Sequence, residues 1–192
     1  MVKKSVKKIV KEEKIIPFNK LSKLEKRVVI AKDVLKQLKT KKFIAASGDY
    51  ISSNFSSMFN HDISADIKTN YKKIKNCKVC ALGACLLTIT KFDTKLLFKY
   101  IIPNILLDSS PKVDKLFTSI FSPKQLLMIE YAFEGKIGFK YGEQVLKQTL
   151  SGEEIDSCIN FYGGFPGKDE CSEDRLIAIM NNIITNKGIF KP

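Results

Sequence analysis

The chain has one histidine, two arginines and no apolar run of membrane-spanning length, although it carries 33 Lys and Arg in 192 residues. A lone imidazole, His61, leaves no room for multi-histidine metal sites or an H-E-x-x-H helix. A cationic complement that is almost all lysine favours attraction to phosphate over reading of base edges, because lysine is a point charge without the planar fork of arginine. No stretch approaches the roughly 20 apolar residues of a membrane span, and the Lys-rich N-terminus lacks the apolar segment of a signal peptide. No membrane association is expected, and a cytoplasmic location is. The five cysteines are odd in number and lack framework spacing, so reduced thiols are expected. A Rossmann fingerprint, a phosphate-binding G-x-x-x-x-G-K-[ST] loop, a glycosidase carboxylate pair and a nucleic-acid zinc finger are all missing. No cofactor and no resident metal are expected from motifs.

What is present is an uneven distribution of charge. Formal net charge is +13. Residues 1–42 hold 15 Lys and Arg against Glu12, Glu13, Glu25 and Asp33, a net of +11, and the remaining residues are nearly balanced. A second basic cluster comprises Lys68, Lys72, Lys73, Lys75 and Lys78. Such a distribution steers an anionic partner to one side, whereas an AT-rich coding sequence accounts for abundant lysine without any function.

Length and composition suit one hydrophobic core. The expected organisation is a basic, mobile tail over residues 1–19 and a mainly α-helical domain over residues 20–192, with about seven helices and little or no strand. Ser22 and Glu25 form an S-x-x-E capping box that opens the first helix. Leu24, Val28, Ala31, Leu35 and Leu38 follow at helical spacing, with Lys26, Lys32, Lys36 and Lys39 off that stripe. Ser47-Gly48-Asp49 is a turn signal. Cys77 to Thr90 reads as one buried helix, and Thr94 to Ile102 as another that stops at Pro103. Ser110-Pro111 and Ser122-Pro123 each mark a helix start, the second with Gln125 completing a capping box. Leu126 to Phe133 is apolar nearly all round and is ended by Gly135. Gly138 to Tyr141 is a short extended candidate. Ser151 and Glu154 cap a further helix. The last begins near Ser172, presents Leu176, Met180, Ile183 and Ile184, and meets Gly188 as its C-cap.

The segment C-K-V-C-A-L-G-A-C, residues 77–85, concentrates three cysteines with small residues. Cys77 and Cys80 have zinc-ligand spacing, with Cys158 and Cys171 as the distant complement. They could also form a redox pair at a helix start. A third chemistry pairs Cys77 or Cys80 with His61 as base, oriented by Asp62 or Glu130. Against these stands packing: on a helix Cys77, Cys80, Ala81 and Ala84 share a face beside Gly83, letting a neighbouring helix backbone come close. Glu130, within an apolar helix, is either a buried acid or base with a raised pKa or one end of an exposed stripe shared with Glu134. The loop F-Y-G-G-F-P-G-K, residues 161–168, reads as a helix connection.

The segments A-K-D-V-L-K-Q-L, S-G-D-Y, C-K-V-C-A-L-G-A, Q-L-L-M-I-E-Y-A-F-E and D-R-L-I-A-I-M-N-N-I-I-T-N-K-G-I-F-K-P occur here in that order over residues 27–192. In this the chain resembles uncharacterised hypothetical proteins of bacteria and their phages. The resemblance implies a phage or mobile-element origin, with the host cytoplasm as location, and brings no activity and no catalytic residues. The functional expectation is a non-enzymatic protein that binds an anionic partner, nucleic acid or a phosphorylated nucleotide, through Lys32, Lys36, Lys39, Lys68, Lys72, Lys73 and Lys75. Alternatives are docking on an acidic protein surface as a subunit of a virion or other assembly, and a cysteine-dependent enzyme.

Overall fold

The Ser22 hydroxyl accepts from the Glu25 backbone N–H at 3.3 Å, while the Glu25 carboxylate accepts from the Ser22 N–H at 2.8 Å. This reciprocal cap satisfies donors that the helix start would otherwise leave open. The computed structural model describes residues 16–48, 50–52, 75–92, 111–135, 149–162 and 172–192. Over these the order is a 3-10 turn (Phe18–Lys20), α1 (Lys23–Lys39), β1 (Phe43–Ala45), β2 (Ile51–Ser52), β3 (Cys77–Val79), α2 (Ala81–Phe92), α3 (Pro111–Ile120), α4 (Pro123–Glu134), α5 (Gly152–Asn160) and α6 (Ser172–Thr185). Most described residues are helical. Six α-helices are found among them where the sequence predicts about seven; the candidate helix at 94–102, the extended candidate at 138–141, the loop at 163–168 and tail residues 1–15 lie outside the described residues.

Helix α1 is central because it packs against α6, α2, α3 and β1. It therefore buries more than one apolar stripe. Ile30, Ala31, Val34 and Leu38 are fully enclosed, and each of the larger side chains contributes about 1.5–3 kcal/mol of burial. The predicted stripe is rotated, however: Leu24 is 42% exposed, whereas Arg27, Asp33 and Gln37 are buried. Arg27 and Asp33 go inside because distant parts of the fold supply their partners, and Gln37 bonds Asp33 one turn away. Arg27 Nε donates to the Ile120 carbonyl at 2.7 Å and Arg27 Nη1 to the Gly188 carbonyl at 3.2 Å.

Strand is sparse among the described residues, as the sequence suggests, and forms one three-stranded sheet of order β1-β3-β2. β1 runs parallel to β3, with Phe43 opposite Cys77 and Ala45 opposite Val79; β2 pairs antiparallel, with Ile51 opposite Val79. The single helix expected over 77–90 is accordingly two elements. Cys77 and Val79 are buried and Lys78 is exposed, the alternation of a half-buried strand. Cys80 then caps α2: its carbonyl accepts from Ala84 N at 2.9 Å and its Sγ from Gly83 N at 3.4 Å, the place a serine hydroxyl usually fills. Every residue from Ala81 to Thr90 is buried.

At Gly83 the close backbone approach expected from the small residues exists, but its partner is the segment ahead of β2 and not a helix. A Cβ at Gly83 would lie 1.7 Å from the Tyr50 carbonyl oxygen. That carbonyl accepts from Cys80 N at 3.2 Å.

The closing segment is held by two side-chain amides acting like short stretches of strand. Gln125 accepts from Phe190 N at 2.7 Å and donates to its carbonyl at 3.0 Å. Asn182 accepts from Lys191 N at 2.9 Å and donates to its carbonyl at 2.6 Å. Ser122 caps α4 by accepting from Gln125 N, but the Gln125 amide is engaged with Phe190 in place of the predicted capping box. The Ser151–Glu154 box forms as predicted. Gly135 ends α4 in the left-handed region, at φ 73, and Gly188, at φ 95, lies three residues past the end of α6. No helix among the described residues is long and apolar enough to cross a membrane.

Candidate functional site

The parallel pairing of β1 with β3 sets the heads of two lysine-rich segments side by side. Lys41 and Lys42 precede β1, Lys75 and Asn76 precede β3, and Cys77 N donates to the Lys42 carbonyl at 3.0 Å. Lys41 and Asn76 both have positive φ, 54 and 52, which turns the chain sharply into each strand. Just before this point the last turn of α1 carries Lys36 and Lys39. Lysines there are favoured locally by the partial negative charge of the helix C-terminus. Lys78 stands on the exposed face of β3, between Ile44 and Ser52 in register.

A charged seam between α1 and α2 continues this surface. Asp33 is only 9% exposed and pairs with the Lys91 ammonium group, and Gln37 Nε2 donates to both of its oxygens at 3.3 Å. Lys42 faces the same pair. Its pKa is lowered by partial burial and by the Lys91 charge, against the opposing pull of Asp33. Two ammonium groups thus face one buried carboxylate.

Of the predicted anion-binding residues, Lys32, Lys36 and Lys39 are exposed on one side of α1, at spacings of four and three. Lys75 is exposed at the head of β3. Lys68, Lys72 and Lys73 lie outside the described residues. Sequence reasoning missed Lys42 and Lys91. The signal for Lys42 was its place immediately ahead of the apolar Phe43-Ile44-Ala45; Lys91 had none, since its role depends on Asp33 across the seam.

The cysteine-rich segment is arranged differently from a reactive site. Cys77, Cys80, Cys85 and Cys158 are buried thiols. Burial pushes the Cys80 thiol well up, and the nearby Glu134 and Glu130 carboxylates add to this. That is the opposite of the environment that makes a thiolate nucleophile. His61 and Asp62, the expected base and orienting acid, and Cys171 lie outside the described residues. Among the described residues no three potential metal-ligating side chains gather.

The reading of Glu130 as part of an exposed stripe is corrected: it is buried and accepts a hydrogen bond from the Tyr50 hydroxyl. Desolvation raises its pKa, the Tyr50 hydrogen bond opposes this, and the Glu134 charge adds to it. Glu134, one turn on, accepts from the Ser47 hydroxyl at 2.6 Å and the Gly48 N–H at 2.9 Å. The two carboxylates thereby fasten the β1–β2 connection to α4. Their hydrogen bonds account for both residues structurally.

Compared with protein-family models, with curated proteins and with solved structures, the chain matches none.

Proposed function

We propose that this protein binds the phosphate backbone of a nucleic acid without catalysing a reaction on it, using the lysines at the end of α1, the heads of β1 and β3, and the α1–α2 seam. The observation that carries this reading is the parallel register of Phe43 with Cys77, which makes one surface out of two lysine-rich segments that are far apart in sequence. Lys36, Lys39, Lys75 and Lys78 are all exposed on or beside it. A spread of lysines along a helix and a sheet end suits a repeating phosphate backbone better than a mononucleotide, whose single cluster of phosphates needs converging donors. Both arginines are buried and engaged with backbone carbonyls, so the surface is left with point charges. Binding of this kind is salt-sensitive and little dependent on sequence.

The test is a titration of fluorescently labelled DNA and RNA oligonucleotides, with a nucleotide triphosphate as the small-ligand arm, at low and at physiological salt. Binding that weakens steeply with salt, and that drops when Lys36, Lys39 and Lys75 are together changed to Glu, supports the reading. Absence of binding to every oligonucleotide at low salt, or affinity unchanged by the triple charge reversal, overturns it.

A further inference from the structure

Phe18 and Phe92 stack face to face, with ring centroids 4.8 Å apart and planes inclined by 16°. Neither ring is fully buried. Phe18 belongs to the 3-10 turn ahead of α1, in the stretch the sequence assigns to a mobile tail, and Phe92 is the last residue of α2. Each ring has a cation above it: Lys26 Nζ lies 5.7 Å from the Phe18 centroid and Lys91 Nζ 5.2 Å from that of Phe92. Lys91 is also the ammonium group that pairs with Asp33 and faces Lys42. The aromatic pair therefore stands at one end of the basic seam, and the heads of β1 and β3 stand at the other.

We infer that the Phe18–Phe92 stack is a base-stacking platform and that the nucleic acid bound along the seam is single-stranded. The inference rests on the proposed function and narrows it. A duplex keeps the faces of its bases stacked inside and offers this surface only phosphates. A single strand offers both phosphates and free π-faces, and a groove that interleaves lysines with aromatic rings engages both. The ammonium group over Phe18 is no obstacle. Lys26 is half-exposed, and a cation over a partly solvated ring is held more weakly than a base stacked on it. A base that covers Phe18 frees the Lys26 ammonium group to meet the adjoining phosphate. Lys91 is anchored by Asp33 and stays. Stacking is tolerant of base identity because every base has a π-face, which agrees with the scarcity of surface arginine.

The experiment uses the full-length chain with matched single-stranded and double-stranded oligonucleotides at one salt concentration. Two variants separate stacking from packing. Phe18→Leu keeps an apolar side chain but removes the ring. Phe18→Trp supplies the only indole in a chain that has no tryptophan, so its emission reports directly on a stacked base. The expected results are tighter binding of the single strand than of the duplex, a loss of about tenfold in single-strand affinity for Phe18→Leu at a temperature where the variant is fully folded, with an unchanged salt slope, and quenching of the Phe18→Trp emission by the single strand alone. Equal binding of the two forms, or an unquenched indole in the saturated complex, overturns the inference and leaves the backbone-binding function standing. If no oligonucleotide binds at low salt, both fall.

Discussion

The Tyr50 hydroxyl donates to the Glu130 carboxylate across 80 positions of the chain, joining the approach to β2 to the middle of α4. Burial is the largest cause of the raised Glu130 pKa, ahead of the opposing Tyr50 hydrogen bond and the reinforcing Glu134 charge. The folded state thus holds this proton more tightly than the unfolded chain does. The stability it contributes is present below the ordinary glutamate value of 4.5 and is lost as pH rises through the folded value. Glu130→Gln keeps an acceptor for Tyr50 and abolishes the titration. Its stability is expected to match or exceed that of the parent at neutral pH, with a flatter slope above pH 4.5. Glu130→Ala strands the Tyr50 hydroxyl and is expected to cost about 1–3 kcal/mol. Thermal melts across that pH range check both, and an unaltered slope in Glu130→Gln contradicts the assignment.

Glycine at position 83 is required by space. A Cβ there would lie 1.7 Å from the Tyr50 carbonyl oxygen, and backbone cannot swing aside as the end of a side chain can. Gly83→Ala is expected to destabilise by about 1–3 kcal/mol or more, and Gly83→Leu further. Gly152, at the start of α5, has nothing within 4 Å of the same position. Gly152→Ala is expected to be neutral or to stabilise by up to about 1 kcal/mol, through helix propensity alone. Urea denaturation of the two alanine variants side by side gives the comparison. Equal stabilities would mean that the β1–β2 connection can move away from α2 at no cost.

Features decided within one helical turn were legible in the sequence. The Ser22–Glu25 and Ser151–Glu154 boxes form, and Gly135 ends α4, because each depends on residues three or four apart. Features decided by distant partners were not. Cys77-Lys78-Val79 has the alternation of a strand but runs straight into an apolar helix, and only pairing with Phe43–Ala45 makes it one. A periodicity count puts the apolar stripe of α1 too near Leu24 because it gives no weight to Arg27, whose acceptors are the Ile120 and Gly188 carbonyls. For the candidate site, the lysines themselves were evident; what the sequence could not supply was the strand register that groups them, nor the pairing of Lys91 with Asp33.

Both arginines tie helix ends. Arg27 donates to the carbonyl of Ile120, the last residue of α3, and Arg175 donates through Nη1 to the Phe133 carbonyl at 3.0 Å, in the last turn of α4. A cation bound to terminal carbonyls also meets the negative end of the helix. A lysine carries its three donors on one nitrogen and lacks the planar fork, so Arg27→Lys does not reproduce the separate Nε and Nη1 contacts to the two carbonyls. A loss of about 1.5–3 kcal/mol is expected for Arg27→Lys, with nucleic-acid binding retained under conditions where the variant is folded. A selective loss of binding with unchanged stability would assign Arg27 to recognition instead.

Asn182 holds Lys191 through both halves of its amide, and its Oδ1 also accepts from Asn186 Nδ2 at 3.0 Å. Asn182 and Asn186 thereby fasten the turn past α6, and Gly188 lets it pass close to Leu24. Asn182→Asp retains the acceptor and removes the donor to the Lys191 carbonyl. A loss of about 1 kcal/mol is expected, together with faster carboxypeptidase trimming of the last residues. Unchanged trimming would show that Gln125 and the buried Phe190 hold the segment by themselves.

The four described thiols should be chemically silent. Burial pushes Cys85 and Cys158 up to about 12, and Cys80 well above its ordinary range. A thiol reacts through its thiolate and through contact with the reagent; burial denies contact to all four and also disfavours the thiolates of Cys80, Cys85 and Cys158. Cys77, with its side chain packed under the sheet, is enclosed as fully as the others. Ellman's reagent at mildly alkaline pH is therefore expected to label the native protein at no more than one site, Cys171, and to count all five thiols only after unfolding. The rate for the other four should follow global opening, so a destabilising substitution such as Gly83→Ala should speed it in proportion. Rapid labelling of Cys80 in the native state would reverse the argument, since a thiol accessible beside Glu130 and Tyr50 would return this junction to consideration as a reactive centre.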